Sequence, residues 1–183
     1  MDRLCIGMIF VLFDLNFDLF GVRIPLLPDC IGYLLLLSGF MQLQNESAVF
    51  SRSRLPAGLL ATYRFACLTG SLTGFAANPF LIYVLNAAGA VGLMFIAFQL
   101  IRGFQELEAF RRIELYSARL KKYWALMVSF QVFSLLTITA LLLSILCSIV
   151  GFFISIFFLF TLNMARINWK NGIARELPPA SYK

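Results

Sequence analysis

Between Lys122 and Arg166 the chain runs for 43 residues without a charged side chain. As one α-helix that run would be about 65 Å long, twice the ~30 Å hydrocarbon core of a bilayer. It must therefore fold back on itself, with the turn expected near Cys147 to Gly151 and spans of about 124–146 and 149–165. A second uncharged run, from 65 to 101, is interrupted only by Asn78 and Pro79. Of the whole chain 61% is hydrophobic and 13% charged, with a mean hydropathy of +0.86. A soluble domain carries about a quarter charged residues, so the surplus apolar surface needs lipid as its solvent. The expected class is an all-α integral membrane protein, a six-helix transmembrane bundle forming one multi-pass domain.

The remaining spans rest on shorter signals. Residues 4–13 are apolar but would make only about 15 Å of helix, so the first span, at about 4–15, is tilted, short, or extended by residues 15–20. No small-residue cleavage motif lies after it, and no signal peptide is expected. A second short span is expected at 29–43. Pro56 suits a first helical turn and starts a third span, 56–76, that ends in Gly70-Ser-Leu-Thr-Gly74, a spacing that permits close helix contact. Pro79 precedes a fourth span at 80–101, whose Asn86-Ala-Ala-Gly-Ala-Val-Gly92 centre offers a small-residue packing face.

Residues 102–123 repeat an apolar side chain every three to four positions (Phe104, Leu107, Phe110, Ile113, Tyr116, Leu120), which predicts an amphipathic cytoplasmic helix. Glu108 and Arg112 stand at i, i+4 on it. Its bases Arg111, Arg112, Arg119, Lys121 and Lys122 are placed to touch anionic lipid headgroups; a membrane-protein partner of unknown identity is the other use of such a face. A polar tail, 166–183, closes the chain with Trp169 at the interface. With six spans, all but two of the fifteen Lys and Arg, Arg23 and Arg64, fall on one side. Positive charge marks the cytoplasmic side, so both termini are expected there, in a plasma membrane. Bases beside hydrophobic runs orient a membrane protein more simply than they bind nucleic acid, and no nucleic-acid partner is expected.

The stretch 14–33 joins the first two spans and holds three of the nine carboxylates, Asp14, Asp18 and Asp29. Positions 14–19 alternate polar and apolar, the period of a strand, and Gly21, Pro25 and Pro28 resist helix on the way back. A short extended hairpin is expected there, with Asp29 capping the next helix. The candidate polar site comprises Asp14, Asn16, Asp18, Arg23, Asp29, Tyr33, Arg64 and Asn86. Polar groups near a membrane core are costly to keep and so mark candidate function. Paired aspartates can act as general acid and base, yet the same hinge reads more simply as a wet extracytoplasmic loop with a helix cap. Arg64 either pairs with a carboxylate or an anionic solute, or snorkels about 12 Å to the headgroups.

The chain contains no histidine, which removes His-based relays, Ser-His triads and the usual zinc sites. Cys5, Cys30, Cys67 and Cys147 are scattered in apolar context and read as structural thiols. No catalytic residue, metal or cofactor is assigned. A non-enzymatic accessory or structural membrane protein is the leading expectation, ahead of a small-solute binding or transport subunit and then a membrane aspartyl enzyme.

Residues 27–33, LPDCIGY, resemble the (I/L)-P-D-x-x-G-Y element of small, functionally unassigned multi-pass membrane proteins from Gram-positive bacteria, with Cys30 where that element carries an aromatic residue. The resemblance covers mainly residues 14–43 and implies class and localisation, not an activity. In size and expected span count the chain is also similar to the substrate-binding membrane subunits of vitamin importers, an analogy of architecture alone.

Overall fold

The computed structural model describes residues 1–12, 16–19, 22–25, 29–72, 79–136 and 141–176. Among them are six helices: α1 (Asp2–Leu12), α2 (Asp29–Leu43), α3 (Ala48–Leu72), α4 (Pro79–Arg111), α5 (Ser117–Leu136) and α6 (Leu141–Glu176). Between α1 and α2 lie strands β1 (Asn16–Leu19) and β2 (Val22–Pro25), paired antiparallel in a two-stranded sheet. The chain groups into two compact units, Met1–Leu100 and Ile101–Lys183, and α4 has residues in both.

The first unit is built on a close pair of helices. Leu4, Met8 and Val11 of α1 are buried, as are Tyr33, Leu36, Phe40 and Leu43 of α2, each set at helical spacing on one stripe. Glycines let the two backbones approach. A Cβ on Gly7 would stand 2.8 Å from the Gly32 carbonyl oxygen, and one on Gly32 would stand 2.6 Å from a Val11 methyl. The α2 face away from α1 is apolar too, with Ile31, Leu34 and Met41 exposed.

After a turn in which the Glu46 N–H donates to the Leu43 carbonyl, α3 begins where Ser47 Oγ accepts the Val49 N–H at 3.1 Å. That cap places the start eight residues before the expected one at Pro56. Pro56 sits inside α3 and withdraws an N–H from the carbonyl of Arg52, a residue on the exposed side of the helix. Phe50, Ser53, Ala57 and Ala61 form the buried stripe of α3, and Phe40 stacks on Phe50 at 5.9 Å. Further along, Leu60 lies over Gly92 of α4, and the Tyr63 hydroxyl donates to the Leu85 carbonyl.

The second unit departs from expectation in two places. Residues 102–111 are the end of α4, not the start of a separate amphipathic helix, because the buried stripe Ile96, Leu100, Phe104, Leu107 continues unbroken. The break falls at 112–116, and α5 supplies the rest of the expected 102–123 segment. Phe110, expected on the apolar stripe, is 79% exposed. The expected turn at 147–151 is likewise absent, for α6 runs through both Cys147 and Gly151. A glycine costs a helix about 1 kcal/mol, which is not enough to end one supported by packing on both sides. Ile154, Phe158 and Leu162 continue the buried stripe beyond it, and Tyr123 of α5 stacks on Phe157 at 6.1 Å.

Candidate functional site

The hinge residues divide between what the structure describes and what it leaves out. Asp14 lies outside the described residues. Asn16 and Asp18 stand on β1 and Arg23 on β2, with Asp18 the register partner of Arg23 and Asn16 that of Pro25. Asp29 is the first residue of α2, the position expected of the helix start; its side chain lies outside the described residues. One turn further, Tyr33 is fully buried on the α2 stripe and belongs to the core of the first unit.

Arg64 is half-buried on α3, and its guanidinium lies against Gly89 of α4. A Cβ there would come within 2.8 Å of Cζ and 3.0 Å of Nε. The absence of a side chain on Gly89 therefore makes the seat for the cation. Asn86, three residues earlier on α4, has its side chain outside the described residues. So α3–α4 packing brings Arg64 to the helical turn just after Asn86, and β-pairing brings Asp18 and Arg23 opposite each other.

A cleft of about 370 Å³ opens in the second unit, lined by Arg112, Ile113, Glu114, Asn168, Asn171 and Gly172. None of the eight expected polar residues lines it. Its construction begins at Glu108, whose carboxylate accepts the N–H of Leu115 at 2.7 Å, the N–H of Ser117 at 3.1 Å and the Ser117 hydroxyl. The Ser117 donors belong to the start of α5 and the Leu115 N–H to the elbow just before it, so one carboxylate from the last turn of α4 caps the next helix across the break. The i, i+4 partnership expected between Glu108 and Arg112 gives way to this cap. The chain turns with Arg112 and Tyr116 in the left-handed region, at φ 54° and 56°.

Helix α6 closes the other wall. Asn168 Nδ2 donates to the Glu114 carbonyl at 3.1 Å, and Ile113 packs onto Gly172, where a Cβ would stand 2.5 Å from Ile113 Cδ1. Around the rim the Arg111 guanidinium lies over Trp169 at 5.5 Å and that of Arg119 over Tyr116 at 5.2 Å, both within cation–π range. Lys121, Lys122 and Lys170 are exposed. The region is thus a basic surface with a carboxylate and two amides set into it. It can hold a small group that both accepts and donates hydrogen bonds.

Sequence reasoning missed Glu108 as a cap, the cleft amides, and the glycine contacts between α1 and α2. The spacing of Asn168 and Asn171, one turn apart beside Gly172 where the apolar run ends, was a readable signal for one polar face. No comparable pattern announces a carboxylate that caps a helix beginning nine residues later. The four cysteines are free thiols, and among the described residues no group of three or more carboxylates or thiols is placed to hold a metal. Comparison with protein-family models, with curated proteins and with solved structures found no match.

Proposed function

We propose that this chain is a multi-pass integral protein of the plasma membrane with both termini cytoplasmic, acting as a non-enzymatic accessory or structural component. The observation that carries the reading is the outer surface of α6, where Phe152, Phe153, Ile156, Phe157 and Phe160 are exposed on successive turns. A helix apolar on its buried and its outward faces finds a matching solvent only in lipid. Among the described residues two segments, Ala87–Arg111 in α4 and Ile149–Ile173 in α6, are long and apolar enough to cross a membrane. The six-span arrangement further uses α3 and α5 as full crossings and α1 and α2 as short ones. The eleven residues of α1 reach about 16 Å as helix, so α1 serves as a short crossing in this arrangement.

The charge distribution supports the orientation. Arg3 stands at the start of α1, Arg52 and Arg54 near the start of α3, and Arg119, Lys121 and Lys122 at the start of α5; Arg111 ends α4 and Arg166 and Lys170 lie toward the end of α6. With successive helices antiparallel, all these ends face one side, the pattern of cytoplasmic loops. Arg111, Arg112, Arg119, Lys121 and Lys122 then meet anionic headgroups. The LPDCIGY element places the chain, on this proposal, with the small multi-pass proteins of Gram-positive bacteria that it resembles.

Labelling decides the orientation. In a variant with its native cysteines replaced by serine, Tyr182→Cys should react with a membrane-impermeant maleimide only after cells are opened. Labelling in intact cells would reverse the topology. Full extraction of the protein by alkaline carbonate, without detergent, would remove the membrane reading itself.

A second reading, a small-solute binding or transport subunit, is favoured by Arg64, a cation seated on Gly89 of α4. Arg64 is the one charged residue between positions 55 and 101, although both helices carry charges elsewhere. The second reading requires that Arg64→Leu abolish solute uptake or binding while leaving the thermal transition in place.

A further inference from the structure

We propose that the cleft between the α4–α5 elbow and the end of α6 binds the headgroup of a phospholipid that carries a primary amine, such as phosphatidylethanolamine. The inference rests on the membrane reading above, which sets this cleft at the cytoplasmic headgroup level, and goes beyond the general attraction of a basic surface for anionic lipid.

The argument starts from the lining. Arg112 and Glu114 are both exposed at the cleft and carry opposite charges two residues apart on the elbow. Among the described residues, neither the Arg112 guanidinium nor the Glu114 carboxylate has a hydrogen-bond or ion-pair partner. The elbow holds them in one wall because both ends of it are fixed: Glu108 caps the start of α5, and Asn168 anchors the Glu114 carbonyl to α6. Asn168 uses one amide N–H on that carbonyl and keeps its Oδ1 as an acceptor, and it lines the same cleft as Glu114. Asn171, exposed one turn along α6, adds an amide that can donate.

The complementary ligand carries an anion for Arg112 and Asn171 and, a few ångströms away, an N–H-bearing cation for Glu114 and Asn168. A phosphoethanolamine headgroup has both. Phosphatidylcholine supplies the phosphate, but its trimethylammonium has no N–H to give Glu114. A purely anionic headgroup such as phosphatidylglycerol satisfies Arg112 and leaves Glu114 facing like charge. Ile113, packed against Gly172, provides an apolar shelf beside the polar groups for the glycerol end of a lipid. Lys121, Lys122 and Lys170 are exposed and favour phosphate of any lipid, so the discrimination among headgroups resides in Glu114 and Asn168.

The test is native mass spectrometry of the detergent-purified full chain, exchanged against equal mole fractions of phosphatidylethanolamine, phosphatidylcholine and phosphatidylglycerol of one acyl composition. Retention of the ethanolamine lipid should exceed that of each of the others by about fivefold, the scale of one surface ion pair. Glu114→Gln should bring the ethanolamine-to-choline ratio to about one while leaving total retained lipid unchanged. Arg112→Asn, in which asparagine readily adopts the φ of 54°, should lower retention of all three. Equal retention of the ethanolamine and choline lipids, or an excess of phosphatidylglycerol, overturns the inference and leaves the membrane reading standing. Displacement of the lipid by free phosphoethanolamine at equal concentration also overturns it, by assigning the cleft to a soluble zwitterion. Protein that stays soluble and monodisperse without detergent overturns both.

Discussion

Replacing Glu108 by alanine removes a carboxylate that accepts three hydrogen bonds at the elbow and the start of α5. The carboxylate takes two backbone N–H groups, at 2.7 and 3.1 Å, and the hydroxyl of Ser117, which is 4% exposed. Loss of a helix cap costs about 0.5–2 kcal/mol, and a further part-buried donor left without its charged acceptor adds about 1–2 kcal/mol. Water reaches the half-buried Glu108 position and recovers part of this, so the net loss is about 2–3 kcal/mol. For a chain of this size that corresponds to a fall of roughly 5–10 °C in the midpoint of thermal unfolding. The chain has two tryptophans, Trp124 on α5 and Trp169 on α6 under Arg111, and both lie in the second unit. Intrinsic fluorescence of the detergent-purified protein therefore reports the unit in which the change is made. Glu108→Gln keeps one acceptor oxygen and should lose about half as much. A midpoint for Glu108→Ala within about 1 °C of the parent would refute the capping argument, and an equal large loss for alanine and glutamine would assign the effect to charge instead of hydrogen bonding.

Two glycine substitutions should act in opposite directions. Gly7→Ala drives a methyl to within 2.8 Å of the Gly32 carbonyl and 2.9 Å of the Leu36 nitrogen, both backbone, and should cost about 1–3 kcal/mol by separating α1 from α2. Gly151→Ala meets open space inside α6 and should raise the thermal midpoint, by up to about 1 kcal/mol in stability; melts of both variants beside the parent check the pair. Asp29→Ala removes a carboxylate from the first position of α2 and should lower stability by about 0.5–2 kcal/mol, while Asp29→Asn largely preserves it. Unchanged melting for Asp29→Ala would dismiss its capping role.

The sequence alone was enough to determine features whose cause lies within a few residues. Alternation at 14–19 with Gly21 and Pro25 marked the hairpin that β1 and β2 form, Asp29 after Pro28 marked the start of α2, and Pro79 marked the start of α4. These signals are local because strand period, a fixed φ and a missing N–H act on the chain where they stand. The surplus of apolar residues likewise required outward-facing hydrophobic surface, whichever helices carried it. Tertiary structure decided where helices stop when several residues compete. Pro56 and Gly151 each weaken a helix, yet neither ends one, because the buried stripes of α3 and α6 continue past them. The break at 112–116 contains neither proline nor glycine. It exists because Glu108 caps α5 from behind while α6 holds the elbow through Asn168, 54 residues away along the chain, and through Ile113 on Gly172. The cleft depends on the same contacts, so its residues could be named only once α6 was seen beside the elbow. The seat of Arg64 on Gly89 has the same origin: the charge was visible in the chain, but the surface that receives it belongs to another helix.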